Sequence, residues 1–317
     1  MKEGELEQLV LKAIHDRCMQ AKHVQRLTPD YQQAKELLQL PIRDLVYIPE
    51  GEYVLTNYLI ICPGGRLELS PGVKLFFEKD VGIYSEGVLN ASGTMEKPVI
   101  IEGKRWANVR LKGAGANTSR FSWCTIRAGE SSNGGGISVE SVDDILIEDS
   151  TLEYNKANYG GGLYVYDCGK VCLTRVLLQN NVARTGGGCY LTTSRFVTFN
   201  TVIITSNKAG LGGGVFLQPE NTGAQYTLVD TRIIGNEARG TKYDSGGGIF
   251  VAAPTKPLSR LVRWGLEKRA VDNLYLSGVS INSNKSGDVL VSTFWYGRKS
   301  TAAINIQYDT VVIGRNV

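Results

Sequence analysis

Histidine is nearly missing from this chain: 317 residues include two, His15 and His23, both close to the N-terminus. A thiol nucleophile or a Cys/His zinc site therefore lacks the imidazole partner it needs anywhere downstream. Six cysteines (Cys18, Cys62, Cys124, Cys168, Cys172 and Cys189) show neither C-x2-C spacing nor a paired framework, so free thiols are expected. Long apolar runs are absent too. The first 40 residues hold no apolar leader core, and no run of about 18 apolar residues occurs, which excludes a helical membrane span in this chain. The expected compartment is cytoplasmic if Met1 is the native start, and secreted or surface-exposed if a leader has been removed. Charge of one sign is also scarce: 35 basic residues against 31 acidic leave a net +4 with no like-charged block, so specific nucleic-acid binding is not expected. With 42% hydrophobic and 21% charged residues, disorder and collagen are excluded.

What the chain has is a repeat. Gly-Gly-Gly followed by an apolar residue begins at Gly134, Gly160, Gly186, Gly212 and Gly246, the first four spaced by 26 residues. A short strand pattern follows each triplet: Ile137–Val139, Leu163–Val165, Cys189–Leu191, Val215–Leu217 and Ile249–Val251, with first and third residues apolar and pointing inward. A second signature sets an aliphatic residue three before an asparagine: Leu152/Asn155, Leu178/Asn181, Ile204/Asn207, Ile233/Asn236, Ile281/Asn284 and Ile313/Asn316. Between the two lies a third strand with inward pairs Ile145/Ile147, Val171/Leu173, Val197/Phe199 and Tyr226/Leu228.

Three short strands and three turns per period are the content of one coil of a right-handed parallel β-helix. The fold is therefore read as an all-β, single-stranded solenoid of about 26 residues per coil with a short N-terminal helical cap. Stacked at about 4.8 Å per coil, the amides of Asn155, Asn181, Asn207, Asn236 and Asn284 are expected to bond to one another as a buried structural ladder.

Residues 1–40 read as the cap. Leu6, Leu9, Val10, Ala13 and Ile14 fall at helical spacing, and Thr28-Pro29-Asp30 open a second helix to about Leu38, with Pro29 at its start. Residues 41–317 form the solenoid, less regular up to Arg127 and interrupted near 218–224, 235–245 and 253–272. Beyond Asn316 no closing cap is visible, and the last coil is expected to pack on another copy or on further sequence.

The paired G-G-G-[ILVC] and [LI]-x-x-N signatures over residues 124–317 resemble the G-G-A-[ILV] and F-x-x-N repeats of chlamydial polymorphic membrane proteins and related bacterial β-helix adhesins. Gly87–Thr94 with Lys97–Ile100 is similar to the entry coils of the pectate-lyase-like superfamily. That resemblance implies the fold, and leaves activity open between noncatalytic adhesins and polysaccharide-active enzymes.

Two functions follow from the residues. In the first the solenoid is a noncatalytic scaffold or adhesion/binding module for a glycan or protein. Its contact surface is the row Tyr164, Tyr190, Phe216 and Phe250, on the outward position of successive coils, or the basic insertion carrying Arg260, Arg263 and Trp264. In the alternative it is a polysaccharide lyase on an acidic glycan. Stacking sets Asp144 beside Lys170 and Asp149 beside Arg175, weak candidates for proton abstraction that also read as surface ion pairs. Calcium enters only with the lyase, since no coil supplies three converging carboxylates; no other cofactor or metal is expected.

Overall fold

The computed structural model describes residues 12–13, 16–18, 28–218, 220, 223–240, 245–252 and 272–285, and beyond these short strands as far as Val312–Ile313. One regular coil shows the plan. Leu163–Tyr166 lies on a first face, Lys170–Thr174 on a second, and Leu177–Gln179 and Val182–Thr185 on a third face that bends between them at Asn181. The strands of the coils pair in parallel with their counterparts one coil away, giving sheets of nine, ten and fourteen strands; Phe294–Trp295 and Arg298–Lys299 form a separate antiparallel pair. The third face is therefore two short strands, where the repeat pattern predicts one. Its second half carries only one or two inward residues, too few to show a period of two.

The inward residues build one continuous core from Ala34 and Leu38 of the cap to Ile281. Period-two burial is visible strand by strand, as in Val73–Phe77 and Gln225–Val229, where alternate residues are buried. Each fully buried Val, Leu or Ile contributes about 1.5–3 kcal/mol relative to exposure. Three strands lie outside the apolar pattern. Ile83–Ser85 and Ser119–Ser122 turn a serine inward at Ser85 and Ser119, and Gly51–Leu55 has only Tyr53 and Leu55 to mark it. Ser119 is bonded on both sides, its Oγ donating to Ala116 O and accepting from Leu89 N.

Corners are made by single residues in left-handed conformation. One column is Trp123, Asp149, Arg175, Thr201 and Asp230; another is Ala128, Tyr154, Asn180, Ser206 and Ser283, all with φ between 47° and 60°. Such a residue costs about 1–2 kcal/mol unless the structure around it over-determines it. Here the ladders on either side do so. At the glycine corner no side chain is tolerated: a Cβ on Gly160, at φ +65°, would sit 2.2 Å from Leu163 O. Gly162 is needed for close approach, since a Cβ there would meet Asn181 Nδ2 at 2.9 Å.

The asparagines form the ladder. Both the backbone N–H and Nδ2 of Asn155 donate to Asn181 Oδ1, at 3.0 and 3.1 Å, and the pattern repeats from Asn181 to Asn207, Asn207 to Asn236 and Asn236 to Asn284. The second amide hydrogen reaches a strand carbonyl, Leu152 O for Asn181. At the foot, Gly129 N donates to Asn155 Oδ1, where the repeat has glycine in place of asparagine. Asn316 lies outside the described residues.

In the cap, Tyr31–Leu37 is a helix whose N-cap is Asp30, with a capping box to Gln33. Pro29 precedes the cap residue and does not occupy the first helical turn, as the sequence reading has it. One expectation is overturned: Cys18 and Cys62 are joined in a disulfide, while Cys124, Cys168, Cys172 and Cys189 are free. Their 44-residue separation leaves no local spacing by which to pair them.

Candidate functional site

The aromatic row stands on the outer side of the first face. Tyr164, Tyr190, Phe216 and Phe250 are in direct register, with ring centroids 5.4, 4.9 and 5.2 Å apart and planes within 20°. They are outward of the core but not open: Tyr190, Phe216 and Phe250 are 8%, 5% and 8% exposed and form a cluster of their own with Ala252. Each inner ring turns both faces to its neighbours, Tyr159 meets Tyr190 edge-on, and Tyr190 Oη donates to Gln218 Oε1. A sugar stacks on a free ring face, and this row keeps its faces for itself. Arg260, Arg263 and Trp264 lie outside the described residues.

The column continues below the row as Ser138, Arg110, Tyr84 and Ile60. Arg110 pairs with Glu140 at 3.0 Å, Ser138 Oγ donates to Glu140, and Tyr84 Oη donates to Glu86 at 3.0 Å. Burial first, and Glu86 second, push the Tyr84 phenol above its ordinary value.

The proton-transfer candidates do not converge. Asp144 is in register with Lys170, yet its carboxylate is held by Arg120 at 2.5 Å. Arg175 grips Asp149 with two bonds of 2.6 and 2.7 Å at the next corner. That contact holds the Asp149 carboxyl below its usual range and raises the Arg175 guanidinium, the wrong direction for a group that must lose a proton to act as base. Among the described residues no three His, Cys, Asp or Glu side chains gather as a metal site would require. Burial drives the Cys168 thiol up to about 11 and Cys124 up to about 12, which disfavours the thiolate a nucleophile needs.

A concave site exists elsewhere, where the repeat is irregular. Strand Val99–Trp106 pairs with Cys124–Asn133 from Val99–Cys124 to Glu102–Arg127, then resumes at Trp106–Gly129. The offset between partners falls from 25 (124 − 99) to 23 (129 − 106), so two extra residues bulge out of Gly103–Arg105. This opens a groove of about 620 Å³, lined by Phe76, Phe77, Glu102–Arg105, Ala128–Glu130, Tyr154 and Lys156. Beneath it Phe77 stacks on the buried Trp106 at 5.3 Å, and Trp106 Nε1 donates to Arg127 O at 2.8 Å. Gly129 is required there, since a Cβ would lie 2.0 Å from Gly135 O.

Over this floor stands Tyr154, 59% exposed, on a corner backbone at φ 55°. Around it Lys156 and Arg105 hold Glu130 at 2.7 and 3.6 Å, and Arg127 holds Glu102. The Lys156 contact, then the charges of Lys156 and Arg105, keep the Glu130 carboxyl below its usual range against the opposing effect of burial. Lys104 is in no ion pair among the described residues. The repeat does not reveal the groove: Gly129 replaces the asparagine of the signature there, and the other lining residues lie off the signature positions.

A family model described as the right handed beta helix region matches residues 82–253. Protein bark beetle of Drosophila melanogaster is 40% identical over 58 residues, 18% of this chain and 2% of that protein, so the chain spans a small fraction of that relative. A solved structure of a mannuronic acid specific polysaccharide family 6 lyase from human gut microbiota aligns over 92% of this chain and 83% of its own, at 11% identity and a TM-score of 0.32. No helix among the described residues is long and apolar enough to cross a membrane.

Proposed function

The chain belongs to the right-handed β-helix family, and on that premise we propose that it is a noncatalytic binding module that seats a glycan ring in the groove between Phe76 and Tyr154. The observation that carries this reading is the exposed ring of Tyr154, carried on a constrained corner, above an apolar floor and beside Lys104, Arg105, Glu130 and Lys156. A pyranose has an apolar C–H face and a polar rim, and this groove offers both complements. A corner residue held by ladders on both sides loses little further freedom on binding, which favours even a small contact. One open subsite supports a dissociation constant on the order of millimolar, with tighter binding only for chains that touch more of the surface.

A glycan-array screen followed by titration of the purified protein tests this. Binding weakened at least tenfold in Tyr154→Ala, with no rise in ultraviolet absorbance from unsaturated product in the presence or absence of Ca2+, is the expected result. Product formation lost in Lys170→Ala would establish the lyase instead. Absence of any glycan signal would overturn the glycan reading and move the search to protein partners.

A further inference from the structure

Between strands Val109–Lys112 and Ser119–Ser122, at the corner joining the first and second faces, the chain makes a short 3-10 turn, Ala114–Ala116, capped at its C-terminal end by Asn117. Asn117-Thr118-Ser119 is an Asn-x-Ser sequence, the acceptor pattern for an N-linked glycan, and the pattern recurs at Asn90-Ala91-Ser92 and Asn284-Lys285-Ser286. The three amides are placed very differently. Asn90 is buried, its Nδ2 donating to Glu68 Oε1 at 3.0 Å and its Oδ1 accepting from Arg120 N. Asn284 is buried in the asparagine ladder, with Nδ2 on Ile233 O. A sugar on either would have to enter a packed wall. Asn117 is half-buried beside exposed Ala114, Gly115 and Thr118, and a Cβ on Gly113 would meet nothing within 4 Å. Its Oδ1 accepts from Asp143 N at 2.7 Å. A backbone N–H can bond only to the amide oxygen, so Nδ2 is the free end, without a hydrogen bond among the described residues.

We propose that Asn117 is an N-glycosylation site, and that of the three acceptor sequences it alone carries a glycan in the folded protein. In the transfer, Nδ2 attacks the anomeric carbon of an oligosaccharide held on a polyisoprenyl pyrophosphate. The carbon–nitrogen bond forms, the bond from that carbon to the pyrophosphate oxygen breaks, and one amide proton is lost as the lipid pyrophosphate leaves. The product is still an amide whose oxygen accepts the Asp143 N–H, so the modification leaves the corner intact. Ser119 dates the step. Its hydroxyl is buried between Ala116 O and Leu89 N, so a transferase that reads this serine must do so before the corner packs. The Cys18–Cys62 disulfide belongs to the oxidising, exported setting in which such transfer takes place. Tyr154 and its groove stand on the third face, so a glycan at Asn117 shields one edge of the solenoid and leaves that groove open.

The test directs the full chain to the secretory pathway of cultured eukaryotic cells and maps its peptides by mass spectrometry, before and after enzymatic release of N-glycans in heavy-oxygen water. Release converts each glycosylated asparagine to a labelled aspartate. Label is expected at Asn117 in most chains and at neither Asn90 nor Asn284. Asn117→Gln should lose the glycan and Ser119→Thr should keep it, and the stripped wild-type protein should retain its far-ultraviolet circular dichroism. An unlabelled Asn117, in chains from the medium or retained in the cells, would overturn the proposal, as would label at Asn90 or Asn284 in folded, secreted protein. The map on wild-type protein stands whether or not a variant folds. It reads no bound ligand, so the groove proposal and this one fail on separate measurements.

Discussion

Asn181 and Asn207 are joined twice: the backbone N–H and the Nδ2 of Asn181 both donate to Asn207 Oδ1, at 2.9 and 3.0 Å, inside a fully buried corner. Asn181 Oδ1 in turn accepts the same two donors from Asn155. One amide therefore satisfies the corners of two coils at once, and no side chain lacking both a carbonyl and an amide hydrogen replaces it.

Asn181→Ala is expected to destabilise the protein by about 3 kcal/mol or more, because it strands the Asn155 N–H and Nδ2 donors in a dry corner at roughly 1–3 kcal/mol per unsatisfied group. Urea unfolding measures the loss. Hydrogen exchange at Asn155 and Asn181 would show it concentrated at that corner, as nearest-neighbour coupling in a solenoid demands.

Phe216→Ala and Tyr154→Ala should part company. Phe216 is sandwiched between Tyr190 and Phe250 under cover, so its removal is expected to cost about 3 kcal/mol, at the low end for a buried phenylalanine. Tyr154→Ala removes an exposed ring and is expected to leave stability within about 0.5 kcal/mol while reducing glycan binding. Thermal unfolding and ligand titration on both variants separate a packing spine from a binding ring.

The corner conformation gives a further test. Tyr154→Gly is expected to be more stable than Tyr154→Ala by about 1 kcal/mol, the left-handed strain less the added freedom of the unfolded glycine chain. Equal unfolding midpoints would mean that the corner relaxes when its side chain is small.

Stability should fall in acid for a traceable reason. Glu130, Asp149 and Glu237 are lowered, first by hydrogen bonds from Lys156, Arg175 and Arg239 respectively. A carboxyl whose folded pKa lies below its unfolded value, near 4, stabilises the fold above that value and ceases to as pH falls through the folded one. The loss is thus expected below about pH 4. Replacing Lys156, Arg175 and Arg239 together by alanine should flatten it by lowering stability at pH 7, modestly because the pairs are largely solvated, while leaving stability at pH 3 nearly unchanged. Chemical unfolding at pH 7 and pH 3 compares the two slopes.

The sequence by itself determined the solenoid. The period of 26, the alternating inward residues and the recurring asparagine are local signals, repeated because each coil meets the same neighbours above and below. Inward positions such as Val171/Leu173 and the register that aligns Tyr190 with Phe216 follow from that period alone. Tertiary structure decided whatever depends on departures from it or on distant partners. The period gives the alignment of Asp144 with Lys170, but only geometry gives the carboxylate to Arg120. Stacking spacing is legible, whereas the cover over the aromatic row is not, since burial depends on what lies across from a face. The groove arises from two extra residues in one coil, and the Cys18–Cys62 bridge joins positions 44 apart. Repetition writes the rule many times in the chain; an exception is written once, and its meaning is set by the residues that three dimensions bring against it.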